Sequence, residues 1–144
     1  MAAILVDTDV YSYLSSTNPT RSTPYKRHLE GHVLALSFVT VGEQYAGYIK
    51  KINKGEWPES HMQRLEAMLK AAVIIPYDAE ICKTYGDLKN KLKNPDGSNR
   101  TIGSNDLWIA ASAIRHSLKL VTNNRRDFEN IPGLDIICEA PLRL

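Results

Sequence analysis

The sequence predicts a three-layer α/β/α sandwich around a mainly parallel sheet. Short apolar runs of strand length recur along the chain. Segments of helical periodicity separate them, and several carry an acidic residue at one tip. Strands alternating with helices are the pattern of βαβ units, whose helices cover the faces of a parallel sheet.

The first strand is Ala3–Val6, an apolar run of the kind buried on both faces. A short helix follows through Tyr11 and Leu14. Residues 15–24, polar and with two prolines, read as a linker into a helix over 25–30. Val33–Ser37 is the second strand. From Thr40 the period changes, and Val41, Tyr45, Tyr48 and Ile52 share one helical face. Gly55 and Pro58 end that helix and begin another, striped by Met62, Leu65, Met68 and Leu69. Val73–Ile75, stopped by Pro76, is the third strand. Asp78 caps a helix through Ile81, Tyr85, Leu88 and Leu92, and residues 94–104 form a turn-rich loop. Ser104 is expected to cap a helix reaching about Ser117, apolar nearly all round and therefore buried. Residues 119–122 are the fourth strand, and 135–137 a fifth at an edge.

A length of 144 residues predicts one domain, 1–144, large enough for a real core. Hydrophobic content of 43% and charged content of 24% are those of an ordinary globular protein. The net charge of +2 argues for no polyanionic partner by itself, so any such role rests on local clusters. Cys82 and Cys138 show no metal spacing, and with no signal core the expectation is a reduced, cytoplasmic setting. No run approaches the roughly 20 apolar residues of a membrane span. The four histidines are scattered, without ligand spacing, and no glycine-rich phosphate loop is present.

The acids at the segment tips carry the chemistry. Asp7 and Asp9 follow the first strand, Glu43 the second, Asp106 opens the buried helix, and Asp127 lies past the fourth strand. Each has a local alternative. Asp7 and Asp9 suit a helix N-terminus, Glu43 completes a capping box with Thr40, and Asp127 stands beside Arg125 and Arg126. Asp106 is hardest to explain locally, because a carboxylate entering a buried helix needs a dipole, hydrogen bonds or a metal. If the tips converge, ionised pairs roughly 4 Å apart repel by about 4 kcal/mol each at an effective dielectric near 20. Three such pairs cost on the order of 12 kcal/mol, comparable with a whole domain's stability of roughly 5–15 kcal/mol. Such a cluster must bind cations or protons, and its oxygen-only donors point to Mg²⁺ or Mn²⁺.

Together LVDTDVYSYL, TVGEQ, SNDLWIAASA and LVTNNRRDFENIPGL resemble the four acidic motifs of PIN-domain ribonucleases, in order and over nearly the whole chain. They are most similar to VapC-type toxins of toxin–antitoxin pairs. The resemblance implies metal-assisted hydrolysis of RNA to a 5′-phosphate and a 3′-hydroxyl, with one or two Mg²⁺ or Mn²⁺ ions. Asp7, Glu43 and Asp106 match the family's acids as metal ligands, with Asn105, Thr8 and Thr122 in support. The fourth acid departs from the pattern. Where the family often has an acid two residues after the threonine, this chain has Asn124, so Asp127, Asp9 or Asn124 itself is left to complete the set. The resemblance also implies a cognate antitoxin and a homodimer.

RNA approaching a negative pocket needs flanking cations, and Lys89, Lys91, Lys93, Arg100, Arg125 and Arg126 are the candidates. Tyr11 and Tyr13 stand either to stack on bases or to pack in the core. Two rival readings remain. VDTDV also resembles the DxD signature of haloacid-dehalogenase-type phosphatases, although the single Asp106 matches their late acidic pair poorly. Asn124 equally suits a degraded PIN scaffold that binds RNA or a partner without cutting.

Overall fold

The computed structural model describes residues 2–16 and 19–140. Five parallel strands form one sheet: β1 (Ala3–Val6), β2 (Val33–Ser37), β3 (Val73–Ile75), β4 (Leu120–Val121) and β5 (Ile136–Ile137). Their spatial order is β3-β2-β1-β4-β5. The chain therefore builds outward from β1 on one side, then returns to add β4 on the other. That reversal puts a topological switch point between β1 and β4, and open α/β sheets bind their ligands outside the carboxyl ends of such strands.

Side-chain alternation along the strands fills two separate cores. Leu5, Ala35 and Leu120 face one layer, where they meet Ile81 and Leu88 of α5 (Ala79–Lys91) and Ile109 of α6 (Ser104–Arg115). Ile4, Val6, Leu36 and Val121 face the other. There they meet Val10 and Tyr11 of α1 (Thr8–Ser15), Tyr25 of α2 (Pro19–Leu29), Tyr48 of α3 (Phe38–Asn53) and Leu65 of α4 (Ser60–Lys70). A sheet buried on both sides explains why β1 reads as unbroken apolar residues rather than an alternating strand. Each fully buried aliphatic side chain stabilises the fold by roughly 1.5–3 kcal/mol. The edge strand β3 is different, because Val73 is 50% and Ile74 42% exposed.

Several boundaries differ from the sequence expectation. The expected linker 15–24 is helical from Pro19, whose missing N–H costs nothing in a first turn, and Pro24 lies within that helix. Residues 17 and 18 of that linker lie outside the described ones. Helix α3 begins at Phe38, with the Ser37 hydroxyl accepting from the Val39 amide at 3.2 Å. Thr40 is thus a buried residue inside the helix, and the capping box with Glu43 does not form. Helix α6 is capped by Gly103 without a side-chain bond, which makes Ser104 its first residue rather than its cap. A short helix the sequence did not suggest, α7 (Arg125–Phe128), follows β4.

Candidate active site

The switch point assembles the acids. In the β1–β4 register Leu5 pairs with Leu120 and Val6 with Val121, so Asp7 and Thr122 leave the sheet side by side. The Thr122 hydroxyl donates to Asp7 Oδ2 at 2.5 Å, and the Val10 amide donates to Oδ1 at 2.9 Å as Asp7 caps α1. Asp7 is only 3% exposed. Burial pushes its carboxyl up to about 6, against the downward pull of those two donors, and the charges of Asp9 and Glu43 add to the rise.

Asp106 reaches the same place from the first turn of α6. Asn124 caps α7 through Oδ1, which accepts from the Asp127 amide at 3.3 Å, while its Nδ2 donates to Asp106 Oδ2 at 3.3 Å. Asp127 is a neighbouring acid whose carboxyl disfavours charge on Asp106. Burial first, then Asp127, then the charges of Asp7 and Asp9 push Asp106 up to about 7. Glu43 enters from α3, where it accepts from the Thr8 hydroxyl at 2.8 Å, and Thr8 also meets the Thr40 hydroxyl at 3.0 Å. Asp9 is exposed on the first turn of α1, and Asn105 on that of α6. The first turns of α1 and α6 both bring backbone N–H dipoles to the cup, favouring negative charge there.

The residues fit a divalent cation chemically. Every side-chain acceptor is an oxygen, as Mg²⁺ and Mn²⁺ prefer. The ion pairs among the described residues, Arg27–Glu139, His28–Glu139 and Lys91–Asp87, lie elsewhere. The neutral donors Thr122, Asn124 and Thr8 hold the acids apart, and no three His, Cys, Asp or Glu side chains among the described residues close on one point. Gripping an ion with three carboxylates therefore requires side-chain adjustment within the cup.

The basic candidates separate into two groups. Lys93, Arg100 and Arg126 line a groove with Asp127. One Arg100 nitrogen is already committed there, donating to the carbonyls of Arg126 and Asp127 at 2.9 and 3.2 Å. Arg125 is no phosphate contact in this arrangement. It is half-buried, and its Nη2 donates to the carbonyls of Cys138 and Ala140, pinning the segment just after β5. On α5, Lys91 faces Asp87 at 3.8 Å and Lys89 lies 5.6 Å from the Tyr85 ring centroid. Tyr11 is a core residue at 3% exposure, which removes it as a base-stacking group. Tyr13 is half-buried under Arg21, 5.2 Å from the ring centroid. Cys82 and Cys138 are free thiols.

Sequence reasoning named Asn124 but missed its role as a cap and a donor. Asn124 stands where the family often has an acid and was a candidate to complete the ligand set; in the structure it holds both Asp106 and the α7 N-terminus. The Asn-x-x-Asp spacing of Asn124 and Asp127 is that of a helix cap, and was the available signal.

This fold is that of a known family. The PIN domain family profile matches residues 4–134. The chain is 30% identical over 134 residues to Ribonuclease VapC2 of Rickettsia felis, a match covering 90% of this chain and 92% of that one. A solved structure of VapBC2 from Rickettsia felis, bound to a DNA fragment from its promoter, superposes with a TM-score of 0.75 at 28% identity, covering 94% and 98% of the two chains. DNA-bound VapBC from Salmonella typhimurium gives a TM-score of 0.77 at 25% identity, covering 96% and 98%. The chain belongs to the PIN-domain family, and its relatives within it are VapC ribonucleases. Membership sets aside the haloacid-dehalogenase reading of VDTDV. No helix among the described residues is long and apolar enough to cross a membrane.

Proposed function

We propose that this chain is a divalent-cation-dependent endoribonuclease of the VapC kind, the toxin of a toxin–antitoxin pair. One observation supports the reading: buried Asp7 at the sheet's switch point feels the charges of Asp9 and Glu43, and Asp106 those of Asp127, Asp7 and Asp9, while the ion pairs of the described residues lie elsewhere. Asp7, Asp106 and Glu43 would hold the cation, with Asp127 and Asp9 at its margin. When bound, Mg²⁺ or Mn²⁺ supplies charge neutralisation at the phosphate and a more acidic water. The chain's own groups do the rest. Thr122 and the Val10 amide fix the Asp7 carboxylate, and Asn124 orients Asp106. Thr8 holds Glu43 on the far wall of the cup. Lys93 and Arg126, on the Asp127 side, are placed to meet phosphates flanking the scissile bond.

The antitoxin partner follows from the relatives, whose solved structures are VapBC complexes. Pairing of two copies of this chain would have the exposed apolar side chains of Val73, Ile74 and Tyr77 available to cover.

The test is cleavage of single-stranded RNA with Mn²⁺, with EDTA, and with Asp106→Asn. Cleavage that needs the ion and disappears in the variant supports the proposal. Equal, metal-independent behaviour of both proteins would leave a binding-only PIN scaffold, and an aspartyl-phosphate trapped on Asp7 would refute the mechanism outright.

A further inference from the structure

A cleft of about 560 Å³ opens from the acid cup at Thr8 and Glu43 and runs along α3 to Lys51, Trp57, His61 and Arg64. From Glu43 to Lys51 is eight residues of one helix, about 12 Å at 1.5 Å per residue. Its near wall is neutral and polar, with the Gln44 amide donating to the Ser12 hydroxyl at 3.0 Å. The far end is aromatic and cationic. The Trp57 indole stacks with His61, ring centroids 4.8 Å apart, and its other neighbour Tyr48 meets it edge-on at 4.9 Å. Lys51 Nζ lies 4.4 Å from the Trp57 ring centroid. Arg64 donates to the Ser15 carbonyl at 2.7 Å and, with five N–H groups, keeps others for a ligand. Midway, Gly47 leaves the wall bare, since a Cβ there would meet no atom within 4 Å.

We infer that this cleft is a nucleotide subsite, taking the base of a single-stranded RNA residue beside the scissile phosphate against the Trp57–His61 rings, with Lys51 and Arg64 on its phosphate. The inference rests on the nuclease reading of the acid cup and names how that site takes hold of its substrate. The features required for single strands are aromatic faces together with a cationic track, and both occur here at the end of a passage that begins at the acids. A cation beside an aromatic ring is also the pair that a phosphate and its own base complement. Stacking tolerates any base, so the subsite positions the strand without specifying a sequence.

Two measurements test this separately from catalysis. In Asp106→Asn, chosen to suppress turnover, mixed-sequence single-stranded RNA with Mn²⁺ should quench tryptophan emission, and adding Trp57→Phe should abolish most of that quenching. In the otherwise unchanged chain, Trp57→Ala and Gly47→Leu should raise KM for RNA roughly ten- to hundred-fold, the loss expected for one stacked base, with kcat little altered. Wild type should show a penalty for an abasic residue beside the scissile bond, and both variants should erase it. Trp57→Phe, which keeps a ring, should restore most of the KM. Gly47→Leu guards against misfolding, because that glycine has an ordinary helical backbone and leucine favours the helix. Unchanged KM and an unchanged abasic penalty in variants that still cleave would overturn the subsite and leave the nuclease intact. Quenching at Trp57 without any cleavage by wild type would uphold the subsite and defeat the nuclease reading. Quenching by a peptide from the antitoxin, and none by RNA, would assign the cleft to the protein partner and overturn the inference.

Discussion

Asp7 closes the central strand and caps α1, whereas Asp106 rides on the first turn of α6 with one long bond to Asn124. Both carboxyls are pushed up by burial, to about 6 and about 7. Their supports differ. Asp7 is clamped by two short donors in a nearly closed setting, while Asp106 is half-buried and shares its surroundings with Asp127. Asp7 therefore has both a structural and a chemical task, and Asp106 mainly a chemical one. Two acids of one site should therefore respond differently to removal, with stability separating them where activity does not.

The largest effect expected is on activity, and there the two coincide. Asp7→Asn and Asp106→Asn should each lower RNA cleavage by at least about 100-fold, since a charge worth several kcal/mol to the bound cation is lost. Thermal unfolding of the metal-free proteins then splits them. Asparagine at position 7 retains a capping oxygen and removes a carboxylate held at an unfavourable pH, so Asp7→Asn should be more stable than wild type at pH 8. Asp106→Asn should gain less, because Asp106 is only half-buried and part of its rise comes from Asp127, which stays in place. Equal gains in both variants would show that the two carboxyls carry the same structural cost.

Next in size is the pH dependence of metal-free stability. A carboxyl whose native pKa lies above its unfolded value of 3.8 binds its proton more tightly when folded. Its contribution is most favourable below 3.8 and falls as pH rises, the full penalty being present above the native value. For Asp7, raised to about 6, the total is about 3 kcal/mol across that window. Asp106 acts with the same sign up to about 7. Denaturant unfolding should therefore show wild type losing stability from pH 5 to pH 8 without metal. Mn²⁺ at 100 times its dissociation constant should return about 2.7 kcal/mol at pH 8, through binding to the native state. A flat profile, or an equally steep one in Asp7→Asn, would contradict the assignment.

Much of this contrast was legible before the structure. β1, β2 and β3 have the boundaries expected, because unbroken apolar runs such as Ile4 to Val6 fit a sheet covered on both faces. Asp78 capped α5 as expected, since an Asx cap is a local device. The misses were of another kind. Thr40 and Glu43 satisfied a local capping pattern, yet Ser37 took the cap, and Glu43 turned to Thr8, 35 residues away. The strand order and the role of Asn124 likewise depend on contacts between distant segments, as with Thr122 and Asp7, 115 residues apart. Periodicity and caps are local, whereas the site is built from what folding juxtaposes.

Thr122 tests the clamp on Asp7. Its hydroxyl donates to Asp7 and accepts from the Asn124 amide at 2.9 Å, so Thr122→Val removes both bonds at almost unchanged volume. The expected cost is about 1–3 kcal/mol, since buried groups are left unpaired. The Asp7 carboxyl should also rise further, because that donor holds it down. Cleavage should fall with a pH profile displaced to higher pH, measured as kcat/KM from pH 6 to 9. An undisplaced profile would mean that Thr122 supports the backbone turn alone.

The smallest effect, and the sharpest, concerns Asn124. Asn124→Ala removes a cap worth about 1 kcal/mol and the side-chain amide that donates to Asp106, so stability and cleavage should both fall modestly. Asn124→Asp keeps an oxygen for the Asp127 amide but replaces the donor with a third acid beside Asp106 and Asp127. Without metal this variant should be less stable than wild type at pH 8, by a margin that shrinks towards pH 5 as the acids take up protons. With Mn²⁺ the order should invert, because an added carboxylate strengthens a site for a hard cation. Isothermal titration of Mn²⁺ into both proteins decides the matter. Tighter binding in Asn124→Asp would show that Asn124 trades metal affinity for an uncharged hold on Asp106, whereas equal affinity would place the ion on the Asp7 side of the cup, out of reach of position 124.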